Sequence, residues 1–249
     1  MLSRSTANPL PIPILTYHQI ADAPPKGTPF RSLYVSPGAF GRQMAWLKLL
    51  GYTGLSMSAL EPYLSGERRG KVVGLTFDDG YVNNLSHALP VLQKHGFSAT
   101  CYGVSQLLGQ TNVWDREVGI PPAPLMTAQQ LRDWVAGGQE LGAHTRHHAH
   151  LNQCSSDESR DEIAGCKAEL EAAVGAPVAH FCYPYGEFGD THADQVQQAG
   201  YRSATTTVRG RAWAQQDSFR LPRVPVVRST TLATLWLKIA TAYEDRHRA

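Results

Sequence analysis

Long hydrophobic runs are missing from this chain. No stretch approaches the roughly 18–20 apolar residues that a bilayer-crossing helix requires, so a helical membrane span is excluded. The start, MLSRSTANPLPIPILTYHQI, also lacks a signal-peptide core, because Pro9, Pro11 and Pro13 break up a short apolar stretch. The simplest expectation is a cytoplasmic protein, although an exported protein whose signal has been removed would read the same. A surplus of charge is missing as well: 23 Lys and Arg against 21 Asp and Glu leave a formal charge of +2. A dedicated nucleic-acid partner is therefore not expected, since phosphate contacts need a basic excess on one face. The arginines 209, 211, 220, 223 and 228 are spread over a loop and a strand-like segment. Cysteine is scarce. Cys101, Cys154, Cys166 and Cys182 show no CxxC spacing, which removes metal-knuckle and thioredoxin-type readings and leaves four free thiols.

What is present is a globular composition in 249 residues, 42% hydrophobic, with no repeats or low-complexity tracts. Short β-rich runs alternate with helical patterns. Strands are expected at Ile12–Tyr17, Val72–Phe77, Thr100–Val104, Leu141–His144, Val178–Tyr183 and Tyr201–Thr205. Phe219–Val227 also reads as extended, but Pro222 and Pro225 suggest an edge or irregular segment. Helices are expected after the Ser36-Pro37 and Thr127 caps, through Leu85–Leu92 to Gly96 with Pro90 as a complication, from Ile163 to Gly175, over Ala193–Ala199 and over Thr230–Tyr243. Strand–helix alternation argues for a mostly parallel α/β sheet or barrel of about seven strands. Chemistry in such a fold belongs at the C-terminal ends of the strands.

Three strand ends carry unusual residues. Val72–Phe77 runs into Asp78-Asp79-Gly80; two adjacent acids past an apolar strand need compensation, although a helix N-cap with a solvated neighbour fits too. Next, Leu141–His144 opens a stretch with four histidines in seven residues, at 144, 147, 148 and 150. A solvated His-rich loop is one reading. Imidazoles with one carboxylate facing a divalent transition metal is the other. His144 and His148 do not form a metalloprotease motif, since Thr145 stands where a glutamate is needed. The third end is Tyr183-Pro184-Tyr185-Gly186, a turn that can aim a backbone N–H into a pocket.

In order, TFDDG, HTxxH and YPYG resemble the polysaccharide deacetylase family (the NodB-homology domain, carbohydrate esterase family four), over about Lys71 to Thr205. LTYHQI at the start and LPRV at 221–224 look like the branch with poly-N-acetylglucosamine and surface-polysaccharide deacetylases. The resemblance implies one catalytic domain over 1–249, with its motif-bearing core at about 12–227, folded as a distorted (β/α) barrel of about seven strands. It implies metal-dependent removal of N-acetyl groups from an acetylated sugar or polysaccharide, with Zn2+ the first expectation and Ni2+, Co2+ or Fe2+ open. Asp79, His144 and His148 would hold the metal, Asp78 would be the general base, and the Tyr185 N–H would join the oxyanion hole. Where many members have an arginine that orients the base, this chain has Cys182, and Arg223 of LPRV is the substitute. No late histidine fits the family's general acid; the branch resemblance implies that a histidine from the first strand supplies it, here His18, although a core or capping histidine fits too. Tyr183, Pro184 and Trp114 would meet substrate, although a loop-anchoring Trp114 fits equally; Trp213 is a weaker sugar platform. The other readings are an O-acetyl esterase or other non-peptide amide hydrolase on the same scaffold, and a non-catalytic glycan-binding module. Oligomeric state is not readable from sequence.

Overall fold

The structure, a computed structural model, describes residues 11–247; Pro9 lies outside that range. The strands are β1 Ile14–Tyr17, β2 Gln19–Ile20, β3 Tyr34–Val35, β4 Thr53–Leu55, β5 Val72–Phe77, β6 Thr100–Gly103, β7 Glu140–Ala143, β8 His180–Cys182, β9 Ser203–Arg209 and β10 Leu221–Pro225. The α-helices are α1 Pro37–Leu49, α2 Met57–Leu64, α3 Leu89–His95, α4 Ala128–Ala136, α5 Ser156–Val174, α6 Asp190–Gln198 and α7 Leu232–Ala240. All sheet pairings among the main strands are parallel. Strands β5, β6, β7, β8, β9, β10 and β1 form a ring, closed where β1 pairs β5 (Ile14↔Gly74 to Tyr17↔Phe77), and β4 joins the first half of β5. This is the expected seven-stranded parallel barrel.

The caps read from sequence are in place. The Ser36 side chain accepts from Ala39 N–H with Pro37 opening α1, Thr127 and Gln130 form a capping box for α4, and Gly96 and Gly175 end α3 and α5 in the left-handed region. The Pro90 conflict is resolved by splitting the helix: Asn84–Ala88 is π-helical, and α3 starts afresh with proline in its first turn, where no N–H is needed. One reading is corrected. Phe219–Val227 supplies β10, which is not an edge; it lies between β9 and β1 and completes the barrel. Its register against β9 shifts between Leu221 and Arg223, and Pro222 sits in that irregularity, where a ladder N–H is not required.

Alternation along the strands separates two apolar layers. Leu15, Tyr17, Val73, Leu75 and Phe77 pack outward against Phe40, Met44, Leu92 and Trp134 of α1, α3 and α4. Ile14, Val72, Tyr102, Cys182 and Leu221 gather in the second cluster with Met57 and Leu60 of α2. Tyr102 fits only because its β7 neighbour is glycine: a Cβ on Gly142 would fall 2.4 Å from the Tyr102 ring. The chain's end is pinned to the barrel by a buried carboxylate. Glu244 accepts from Arg209 Nε of β9 at 2.7 Å and from Lys238 Nζ of α7, which also donates to Pro225 O at 2.9 Å.

Burial alone would raise the Glu244 carboxyl, but the Arg209 and Lys238 hydrogen bonds outweigh it and hold it below the usual carboxylate range. A depressed folded-state pKa contributes stability that is present above the unfolded value and is lost as pH falls through the folded one. Glu244→Gln should therefore cost about 3–5 kcal/mol at neutral pH, by stranding Lys238. The gap in melting temperature from wild type should close as the pH drops below the carboxylate range.

Candidate active site

Inward-facing residues at the C-terminal ends of the strands build a cleft of about 530 Å3. Asp78 keeps the parity of Gly74 and Thr76 and so faces inward. Asp79 should face out, but its left-handed backbone, φ 74°, breaks the alternation, and both carboxylates line the cleft. Thr145 (φ 63°), His148 (φ 58°) and Tyr185 (φ 57°) are also left-handed. Non-glycine residues in this region cost on the order of 1–3 kcal/mol each and persist only where surroundings over-determine them.

The surroundings of the histidine loop are visible. Glu162 of α5 accepts from the Arg146 and His147 backbone N–H groups at 2.8 and 3.0 Å and pairs with His147 Nδ1 at 2.6 Å. Arg146 is bonded to Asp161 and to Glu169 of the same helix. The loop between β7 and α5 is thus clamped by acids that sequence inspection alone did not single out. His147 serves this clamp, whereas His150 stacks on Tyr185 at 3.8 Å on the cleft wall.

Asp79, His144 and His148 converge. His144 Nε2 and His148 Nε2 each lie 3.4 Å from Asp79 Oδ1, and all three residues are buried. The His144 Nδ1–H donates to Cys182 O at 2.7 Å, which fixes the tautomer and leaves Nε2 free to act as a ligand. Burial opposes charge on Asp79, yet the two imidazoles facing it hold its carboxyl well below the usual range. Two neutral imidazoles and one carboxylate suit a divalent transition metal with positions left open. A second group within ligand distance, Asp78, His144 and Cys182, competes on geometry. It fails on charge, because the Arg223 guanidinium already occupies it.

Arg223 reaches Asp78 with both terminal nitrogens, Nη1 to Oδ1 at 2.6 Å and Nη2 to Oδ2 at 2.7 Å, and Nη2 also lies 3.1 Å from Cys182 Sγ. Its Nε donates to Thr206 O at 2.9 Å and Nη1 to Thr76 Oγ1 at 3.2 Å. The small Cys182 side chain therefore adjoins the guanidinium that β10 supplies. Burial pushes the Asp78 carboxyl up, but the charge and hydrogen bonds of Arg223, with His18 and His144 further off, bring it below the usual range. Thr16 Oγ1, not foreseen from sequence, lies 3.4 Å from Asp78 Oδ2, and His18 Nε2 lies 3.8 Å from the same oxygen with its side chain 26% exposed.

The remaining candidates fall as follows. Trp114 lines the cleft with its ring stacked on His148, centroids 4.3 Å apart and planes 10° apart. Tyr183 lines it from a buried position, its hydroxyl donating to Phe219 O at 3.1 Å. Tyr185 is a half-exposed wall residue. Pro184 is buried in the turn, outside the cleft lining. Trp213 is exposed and also outside that lining.

At the mouth of a parallel barrel, then, stand an Asp-His-His group whose ligand atoms lie close enough to share one ion and a second, separately paired carboxylate. A sequence profile described as "Polysaccharide deacetylase" matches residues 65–204, and the chain belongs to that family. It is similar to YxkH of Bacillus subtilis, a protein assigned to the polysaccharide deacetylases, at 28% identity over 89% of this chain and 73% of that one. It is also similar to the poly-beta-1,6-N-acetyl-D-glucosamine N-deacetylase of Escherichia coli K12, at 26% identity; the match covers 92% of this chain but spans only 38% of that enzyme. Among solved structures, the Streptococcus pyogenes deacetylase PplD in complex with acetate superposes with a TM-score of 0.81 at 28% identity, over 93% of this chain and 99% of that one.

Replacing Arg223 with Met should leave Asp78 buried without a cation. The variant should lose about 3–5 kcal/mol of stability, and carbon-detected NMR should show the Asp78 carboxyl titrating at higher pH than in wild type.

Proposed function

We propose that the protein is a metal-dependent deacetylase that hydrolyses N-acetyl groups on a sugar or polysaccharide. The observation that carries this reading is the division of labour between adjacent carboxylates: Asp79 faces two imidazoles, and Asp78 is gripped by Arg223. Asp79, His144 and His148 would hold the ion, which when bound supplies Lewis acidity toward water and the acyl oxygen.

The protein's own groups then account for the protons. Asp78, kept ionised by Arg223, takes the proton from the attacking water as its oxygen bonds to the acetyl carbon. The Tyr185 N–H, on the left-handed turn, donates to the developing oxyanion; one such donor is typically worth about 10²–10³ in rate. The C–N bond breaks as His18, in its imidazolium form, protonates the departing nitrogen. Acetate and a free amine result. His18 is well placed for this, since it is next to Asp78 yet partly open to the cleft.

Metal analysis paired with acetate release from N-acetylated and O-acetylated saccharides tests the proposal. Asp79→Ala should lose metal and activity together. Asp78→Asn should keep metal and lose turnover, and His18→Ala should slow turnover at unchanged metal content. Full activity in Asp78→Asn would remove it as the base, and release from O-acetylated substrates alone would favour an esterase.

A further inference from the structure

The acids of the cleft are not all accounted for. Asp78 is matched by Arg223 and Asp79 by two imidazoles, but Asp115, at the end of the 3-10 turn Val113–Asp115, lines the same cleft and has no such partner. Among the described residues no lysine or arginine pairs with it, and the cationic group that acts on it is His18. Its position is nonetheless fixed. Asn112 is buried and its Oδ1 accepts from Ala123 N–H at 2.7 Å, so its amide nitrogen must face the other way, where it donates to Asp115 Oδ2 at 2.8 Å. Burial raises the Asp115 carboxyl, the Asn112 bond lowers it, and the Asp79 charge raises it again, with a net upward shift. Burial is the largest cause of that shift, and the Asn112 bond does not offset it.

Aromatic rings complete the setting. Tyr34 and Tyr185 also line the cleft, and both feel the Asp115 charge. A held carboxylate in a cleft that tyrosine rings also line is the chemistry that recognises an organic ammonium group. We propose that Asp115, with Tyr34 and Tyr185, forms a subsite for the primary ammonium of a hexosamine unit already deacetylated, adjoining the unit under hydrolysis. This rests on the deacetylase reading and narrows its substrate class to partly deacetylated chains, so that each turnover creates a better substrate for the next.

The test compares kcat/KM for acetate release from a fully acetylated hexosamine tetramer and from one bearing a single free amine, at a pH where the amine is protonated. Wild type should favour the amine-bearing tetramer about tenfold, mainly through KM. In Asp115→Asn, whose folding is checked by its melting temperature, the ratio should fall to about one. A ratio near one in wild type, or a ratio retained in the variant, overturns the proposal. A parallel loss on both substrates at constant ratio also overturns it, and would mean that Asp115 acts through His18. Failure of the deacetylase reading looks different, since neither tetramer would release acetate. Calorimetric titration of the full chain with a glucosamine tetramer then decides the subsite: about tenfold weaker binding in Asp115→Asn supports it, and equal binding overturns it.

Discussion

Two carboxylates side by side, both buried at the mouth of a barrel, are the constraint that the rest of the site answers. Neither can stay ionised there without its own positive partner, and one partner cannot serve both. Arg223 settles the first half of the problem with a bidentate grip on Asp78. The guanidinium is held in turn by Thr206 and Thr76, so β5, β9 and β10 all contribute to one ion pair. Closure of the ring by β10 is what puts the arginine within reach. With Asp78 satisfied, Asp79 is the carboxylate left to face the histidines, and the roles of the two acids separate without any difference in residue type.

The second half depends on strain around Asp79 and the histidine loop. Asp79, Thr145 and His148 all have backbones that side chains rarely adopt. The helix α5 holds the histidine loop in that shape through Asp161, Glu162 and Glu169, spaced along one face of a 19-residue helix that starts with a Ser155–Glu158 capping box. The Trp114 ring against His148 and the Cys182 carbonyl on His144 fix the two imidazole planes. Packing, capping and loop geometry thus converge on the orientation of two nitrogen atoms.

Much of this was legible beforehand. A continuous apolar strand ending in two aspartates, a second ending in clustered histidines and a third ending in a proline turn marked one rim of the barrel, and capping residues marked the helices. Local pattern failed where tertiary context decides. Pro222 and Pro225 argued for an edge or irregular segment; the strand lies inside the ring, and the irregularity is a register shift that absorbs Pro222. The three-residue β4 and the short α2 are too brief for periodicity to register, although α2 contributes Met57 and Leu60 to the cluster around Tyr102. Left-handed Asp79 and His148 were not marked in the sequence, because Asp and His adopt those angles more often than most side chains but still too rarely for residue type to single out a position. Asp115 stood next to a tryptophan already singled out, but only the Asn112 bond shows that it is held in place.

The central claim is that one ion sits on Asp79, His144 and His148, and not on the overlapping group of Asp78, His144 and Cys182. X-ray absorption on the zinc-loaded protein separates the two directly. The account expects only nitrogen and oxygen neighbours at about 2.0–2.1 Å, including two imidazoles; a sulfur neighbour at about 2.3 Å would contradict it.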